Sequence, residues 1–308
     1  MPSFHSLNVD QHAATSSFKL FRFGPVGREK PAVEYPDGTR LEVTAFGSDY
    51  NEAFFATNGL PRLRAWLLTH AATCPPVAPT ERFGPCVARP SKIVGVGLNY
   101  HTHVQEAQVA VPAEPVLFLK ATSALAGPFD AIPMPEGSTK LDWEVELAVL
   151  IGKEASLVTE AEAPNYIMGY ALANDVSERT YQLEGTGEWT KGKSFDGFGP
   201  LGPYLVPADQ IADPQSLALR LTVNGQERQA ANTAEMVFGI NHLVSYVSRY
   251  MTLLPGDILL TGTPGGVGLG YTPPVFLATG DTVELTGEGL GTQRQLVVPY
   301  LERKRALA

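Results

Sequence analysis

Cysteine is almost missing: Cys74 and Cys86 are the only two in 308 residues. Two thiols make no disulfide framework, and their spacing in a proline-rich stretch matches no metal motif, so both read as free. Basic clusters and basic amphipathic stretches are lacking as well. With a net charge of -9 and a pI near 5.2, a nucleic-acid or anionic-membrane surface is excluded as a working idea, and a small-molecule ligand is the better expectation. No run of about 18 uninterrupted apolar residues occurs, and "MPSFHSLNVDQHAATSS" has no basic segment leading into an apolar one. A soluble cytoplasmic protein is expected. Also missing are internal repeats and a Gly-x-Ser-x-Gly elbow, and Ser194 has no histidine near it in sequence, so a serine nucleophile is unsupported. "TGTPGGVGLG", Thr261 to Gly270, lacks the Gly-Lys-Ser/Thr of a P-loop, and Gly266-Val-Gly268 is not followed three residues on by glycine. That argues against nucleotide binding and leaves a close backbone approach to a ligand or a tight turn.

What is present is 44% hydrophobic residues, ample for one large domain and a small one. Residues 1–17 are polar and aperiodic and read as a mobile arm. Residues 18–88 read as a small α+β domain, with a hairpin signal at Asp37-Gly38 and an amphipathic helix in "LPRLRAWLLTHAA". The proline-rich stretch Cys74 to Pro90 marks the boundary, and residues 89–308 form the second domain. It opens on a buried-strand pattern, "KIVGVGLNY", and continues through short strand-like runs punctuated by Gly and Pro. Asn224-Gly225 signals another hairpin, and "GDILLTGTP" and "GDTVEL" each follow a turn with a strand. The clearest helix spans about Ala234 to Tyr250, where Met236, Ile240, Leu243, Val244 and Val247 make one apolar face after a cap at Asn232 or Thr233. The irregular order argues against a doubly wound parallel sheet. The expected fold class is α+β, a mostly β, coiled, barrel-like roll with a small N-terminal α+β domain.

"LDWEVELAVLIG", Leu141 to Gly152, is a core strand carrying acids in its first half. Alternation puts Asp142, Glu144 and Glu146 on one side, and beyond them that side turns apolar with Ala148 and Leu150. Such a strand runs from the core into a cleft. Glu144 and Glu146 stay charged together only if something positive intervenes, and a divalent cation is the economical solution. The alternative is a solvated strand end with harmless acids. "YIMGYALANDVSERTYQ" places Asp175 at the end of another apolar run. Three carboxylates without Cys or His partners suit a hard cation such as Mg²⁺. In "NYHTHVQEA", His101 and His103 raise a zinc alternative, but on a helix they diverge, whereas His103 and Glu106 share a face. A carboxylate beside an imidazole suits a general base; a loop histidine without a role is the alternative. "WTKGKSFDGFGPLGP" offers Lys191 and Lys193, cations for a substrate carboxylate or a developing oxyanion unless they are simply solvated.

Taken in order, "GVGLNYHTHVQEA", "PVLFLK", "LDWEVELAVLIG", "GYALANDVSER", "KGKSFDGFGPLGP", "LTVNGQ" and "PGDILLTGTPGGVG" resemble the signature blocks of the fumarylacetoacetate hydrolase family, from about Lys92 onward. The resemblance implies that Glu144, Glu146 and Asp175 bind Mg²⁺, with Mn²⁺ or Ca²⁺ as substitutes, and that His103 and Glu106 activate water. It places Lys193 among the catalytic residues, Thr263 near a substrate carboxylate, and Arg179 and Gln182 along the pocket. It further implies that family's mostly β roll and a homodimer. "GPVGREKP" and "TKGKSFDGFGPLGPYLV" resemble a bacterial branch acting on diketo-deoxy sugar acids. The expected reaction is hydrolysis of a C–C bond in a 2,4-dioxo acid, either a 2,4-diketo-3-deoxy sugar acid of the deoxyrhamnonate type or an acylpyruvate, giving pyruvate and a hydroxy or carboxylic acid. Ureidoglycolate lyase, oxaloacetate-type decarboxylase and 2-hydroxyhepta-2,4-diene-1,7-dioate isomerase activities are the rivals on the same scaffold. A non-catalytic metal-binding protein is the rival of a different class.

Overall fold

Turn residues shape the first elements. The computed structural model describes residues 17–300, so the arm expected over residues 1–17 lies, apart from Ser17, outside the described residues. Strand β1 (Lys19–Phe23) pairs antiparallel with β2 (Lys30–Glu34), and β2 with β3 (Arg40–Glu42). The β2–β3 hairpin turns at Asp37-Gly38, where Gly38 takes φ 85°, a conformation that disfavours any side chain. Helix α1 (Glu52–Ala56) is capped by Asn51, which accepts the Phe54 N–H, and α2 (Gly59–His70) forms where the amphipathic pattern predicts it, burying Leu60, Leu63 and Leu67.

After the proline-rich stretch come β4 (Ile93–Gly97), α3 (His101–Glu106), β5 (Val116–Lys120), β6 (Leu125–Ala126), β7 (Ile132–Met134), β8 (Leu141–Asp142), β9 (Val145–Ile151), β10 (Ile167–Asn174) and β11 (Ser177–Glu178). Short helices α4 (Arg179–Leu183) and α5 (Thr190–Lys193) lead to β12 (Gly199–Pro200), β13 (Val206–Pro207), β14 (Ala218–Val223), β15 (Gln226–Asn232), α6 (Ile240–Tyr250), β16 (Ile258–Leu260), β17 (Thr282–Gly287) and β18 (Gly291–Pro299). The architecture is mixed, rich in strands and poor in helices. A six-stranded sheet runs β13-β10-β9-β16-β4-β5 and a five-stranded sheet β15-β14-β17-β18-β7. Within them only β16–β4 and β18–β7 are parallel.

Strand β9 is buried along its whole length because both of its faces are covered. Val145, Leu147, Val149 and Ile151 enter one core with Leu219, Leu221, Val283 and Leu285 of the five-stranded sheet. Ala148 and Leu150, on the other face, join Leu20, Val33, Phe54, Phe55 and Leu63 from the N-terminal elements. Glu146 shares that second face by alternation, at the end where the apolar cover stops.

Two expectations need correction. The single strand expected over Leu141–Gly152 is interrupted at Trp143 and Glu144. Side chains replace ladder partners there: Asp142 accepts the Trp143 N–H at 2.8 Å, Asn174 that of Glu144 at 3.2 Å, and Gln229 that of Val145 at 2.9 Å. The helix expected from Ala234 starts only at Ile240. Asn232 caps a single 3-10 turn, Thr233–Glu235, in a reciprocal box with Glu235. The N–H groups of Val237 and Phe238 then go to the main-chain and side-chain oxygens of Asn99, which leaves nothing for a continuous helix.

Because Leu150 joins the N-terminal elements to the central sheet, Leu150→Ala is expected to destabilise the protein by about 2–5 kcal/mol. Urea denaturation measures it, and a loss under about 1 kcal/mol would contradict close packing on this face.

Candidate metal centre and active site

Strand register brings the acids together. Ala173 pairs with Glu146 and Asn174 with Val145, and one step on the Asp175 N–H donates to the Glu144 carbonyl at 2.9 Å. Glu144, Glu146 and Asp175 are all buried, and one carboxylate oxygen from each lies within 4.8 Å of the others. An all-oxygen set of this kind fits a hard divalent cation. Asp142, which alternation groups with the two glutamates, instead accepts the Gly268 and Leu269 N–H groups at 2.7 and 3.0 Å and pairs with Arg179.

Three buried cations answer the four buried carboxylates. Lys193 Nζ lies 2.7 Å from both Glu144 Oε2 and Asp175 Oδ2, so Lys193 is not a solvated loop lysine. Arg179 lies 2.8 Å from both Asp142 and Glu144, and one of its N–H groups donates to Gln182 Oε1 at 2.8 Å. Lys120 donates to Asp175 and to the Val176 carbonyl. In the sequence Lys120 is only the last residue of "PVLFLK"; a lysine ending an apolar strand carries no local mark of its partner, which lies 55 residues away in sequence.

The electrostatics separate the two glutamates. Burial pushes the Glu144 carboxyl up, but Lys193 and Arg179 outweigh it and hold it at about 2. Glu146 is driven well above the usual carboxylate range by burial first and then by Asp175 and Glu144. Its one fixed donor is the Gly262 N–H, 2.8 Å from Oε2. For Lys193, burial favours the neutral amine, yet Asp175 and Glu144 carry it above the ordinary lysine value, whereas burial wins for Lys120 and lowers it.

His103 and Glu106 sit on α3 at the predicted spacing, with Nδ1 3.1 Å from Oε2. The other Glu106 oxygen accepts the Gly266 N–H at 2.8 Å. Gly270 packs against it: a Cβ there would come within 2.0 Å of Glu106 Cδ and would push that carboxylate aside. His103 faces the acids across a cavity of about 30 Å³ that Arg179, Gln182, Lys193 and Thr263 also line; His101 is exposed and does not line it. Among the described residues no other cluster of three His, Cys, Asp or Glu is close enough to hold an ion. The Thr263 hydroxyl donates to the Val145 carbonyl at 3.0 Å and accepts from Gln229 at 2.8 Å, which commits its proton to the scaffold.

Comparison with known proteins gives a consistent picture. Residues 92–298 match the family model described as fumarylacetoacetate (FAA) hydrolase C-terminal. A Burkholderia multivorans relative, named no more specifically than as a hydrolase, is 50% identical over 279 residues, covering 90% of this chain and 98% of its own. Fumarylacetoacetate hydrolase from psychrophilic Exiguobacterium antarcticum superposes with a TM-score of 0.80 at 34% identity, over 92% of this chain and all of that one. Maleylpyruvate hydrolase from Sphingobium sp. SYK-6, solved with manganese(II) and pyruvate, gives 0.75 at 29% identity over 91% and 99%. A 2-hydroxyhepta-2,4-diene-1,7-dioate isomerase from Mycobacterium marinum gives 0.69 at 33% over 92% and 99%.

The raised proton affinity of Glu146 has a measurable consequence. A cation entering the triad displaces the Glu146 proton, so apparent Mn²⁺ affinity should fall as pH falls below the raised value, by up to about tenfold per unit, and level off above it. Calorimetry in buffers of different ionisation enthalpy, over a pH series, should show proton release wherever the affinity falls with pH. Glu146→Gln should abolish that release and weaken binding. An affinity that stays constant over the series without proton release would refute the assignment.

Proposed function

The chain belongs to the fumarylacetoacetate hydrolase family, an enzyme family of hydrolases and isomerases, and from that membership and the site's geometry we propose a metal-dependent hydrolase that cleaves a C–C bond in a 2,4-dioxo acid. The observation that carries this reading is the His103–Glu106 pair, with Nδ1 3.1 Å from Oε2 and with His103 lining the same cavity as Glu144 and Glu146 of the triad. A divalent cation held by Glu144, Glu146 and Asp175, Mg²⁺ or Mn²⁺ ahead of Ca²⁺, would supply a Lewis-acid seat for the substrate's 1-carboxylate and 2-oxo oxygens.

The chain's own residues do the rest. With the Nδ1–H directed at Glu106, the tautomer assigned from this hydrogen bond leaves His103 Nε2 as a base. It takes a proton from water, whose oxygen adds to the C4 carbonyl. Breaking C3–C4 then leaves the electron pair on C3, conjugated with the 2-oxo group, and the imidazolium returns a proton to C3. The products are pyruvate and the carboxylic or hydroxy acid derived from C4 and its tail. Lys193 stabilises the negative charge that builds on the reacting oxygens, while Arg179 and Gln182 line the pocket that orients the acid. Thr263 contributes main-chain surface near the carboxylate, since its hydroxyl is engaged. Substrates proposed are acylpyruvates and 2,4-diketo-3-deoxy sugar acids.

Isomerase neighbours at comparable identity favour one second reading, in which His103 moves a proton between carbons and no water is consumed. Whether the substrate's carbon count survives in one product separates the two. No helix among the described residues is long and apolar enough to cross a membrane. We further propose a cytoplasmic homodimer with the catalytic unit at residues 89–308 and a small domain at 18–88.

His103→Ala is expected to slow C–C hydrolysis about a hundredfold to ten-thousandfold, while the variant still binds Mn²⁺ and oxalate and still decarboxylates oxaloacetate, which needs no attacking water. Glu106→Gln should act in the same direction but less severely. Wild-type hydrolysis by His103→Ala, measured as pyruvate release from a panel of acylpyruvates, would overturn the water-activating role and favour the isomerase reading.

A further inference from the structure

The lining of the cavity falls into two chemical parts. His103, Arg179 and Lys193 stand with the acids as its ionic members, and Val96, Leu98, Phe118 and Trp189 are its apolar members; the two meet where Lys193 Nζ lies 5.0 Å from the centre of the Phe118 ring. Val96 belongs to β4 and Phe118 to β5, both in the central sheet. Trp189 does not. It follows six exposed residues, 183–188, in which Gly185 and Gly187 take φ 88° and 73° with open space around them. It is the half-buried point at which that exposed run enters the site.

Three contacts fix where the indole sits. Its ring lies 5.5 Å from that of Phe118 at 51°. Its main-chain oxygen accepts the N–H groups of Gly192 and Lys193 at 3.0 and 3.2 Å, so the same residue anchors the turn that presents Lys193. Its six-membered ring rests on Gly97: a Cβ there would meet Trp189 Cζ3 at 2.4 Å and Cη2 at 2.7 Å, and the next nearest atom, at 3.7 Å, is also on Trp189. Gly97 is therefore the seat of the indole, and nothing else stands closer to it.

We infer that Trp189 is the residue that determines specificity for the substrate's tail. Resting on the oxo-acid reading above, the 1-carboxylate and 2-oxo group occupy the ionic part, and the group beyond C4 has the apolar part left to it. There it meets the indole, carried on a glycine-containing loop rather than on the sheet. With the indole seated on Gly97, the site favours short tails over long ones.

The test is a binding ratio that needs no turnover. Pyruvate and 2-oxooctanoate are titrated by calorimetry into the Mn²⁺-loaded full-length protein. Trp189→Ala should shift the affinity ratio toward 2-oxooctanoate by about tenfold or more, the scale on which an apolar wall discriminates chain length. Trp189→Phe, which keeps an aromatic ring beside Phe118 but withdraws from Gly97, should shift it part of the way and guards against a misfolded alanine variant. Gly97→Ala should alter the ratio severalfold when Trp189 is present and leave it unchanged in the Trp189→Ala background. Equal loss of both affinities, as from a merely structural role, or an unchanged ratio in every variant overturns the Trp189 assignment alone. Failure of both acids to bind the loaded protein overturns the oxo-acid reading and this inference with it. If the ratio shifts but no acylpyruvate is hydrolysed, the hydrolase reading fails and the Trp189 assignment stands.

Discussion

Three carboxylates buried within 4.8 Å of one another repel, and the organisation of the site answers that repulsion. Burial away from water disfavours so much like charge in one place. Lys193 bridges two of them at 2.7 Å each, Lys120 holds Asp175 from its other side, and Arg179 ties Glu144 to Asp142. Four buried acids facing three buried cations leave an excess of one negative charge, and at Glu146, which no cation among the described residues contacts directly, burial and the two neighbouring acids favour the protonated form. A dication in the triad would turn the excess into one positive charge.

Such crowding requires a backbone that cannot relax. Glu144 and Asp175 meet through strand register, and β9 is clamped between the five-stranded sheet and the N-terminal elements. The glycine-rich segment Thr261 to Gly270 supplies the remaining restraint. Four of its N–H groups go to acids: Gly262 to Glu146, Gly266 to Glu106, Gly268 and Leu269 to Asp142. The close backbone approach legible in that motif is therefore an approach to the protein's own carboxylates, and one short loop ties the triad, the His103 partner and the Arg179 partner into a single rigid unit.

What could be read from the sequence was whatever depends on neighbours in the chain. Both hairpins, the α2 helix and the shared face of Glu144, Glu146, Ala148 and Leu150 follow from turn residues and alternation. The His103–Glu106 pair follows from helical spacing. What could not be read depends on distant groups. The break at Trp143–Glu144 exists because the side-chain oxygens of Asn174 and Gln229 accept the Glu144 and Val145 N–H groups there, and α6 starts late because Asn99 captures two N–H groups. Lys120 and the engagement of the Thr263 hydroxyl are likewise long-range facts. No period or spacing records them.

On the proposed reading, the ionic part of the cavity would serve one requirement common to hydrolysis, decarboxylation and isomerisation, which is to stabilise the electron pair released toward C3 and the 2-oxo group. It cannot by itself choose among these reactions. The choice rests on what stands over C4 and the tail: a base oriented by Glu106, and a wall that sets how much room is left for water beside the substrate. Glu106 is held by Gly266 and crowded by Gly270, so the His103 imidazole has little freedom to turn. Trp189 follows two left-handed glycines, Gly185 and Gly187, and caps the turn that carries Lys193. On the proposed reading, the ionic half of the site supplies the shared electronic step, and the side that carries Trp189 decides which molecule undergoes it.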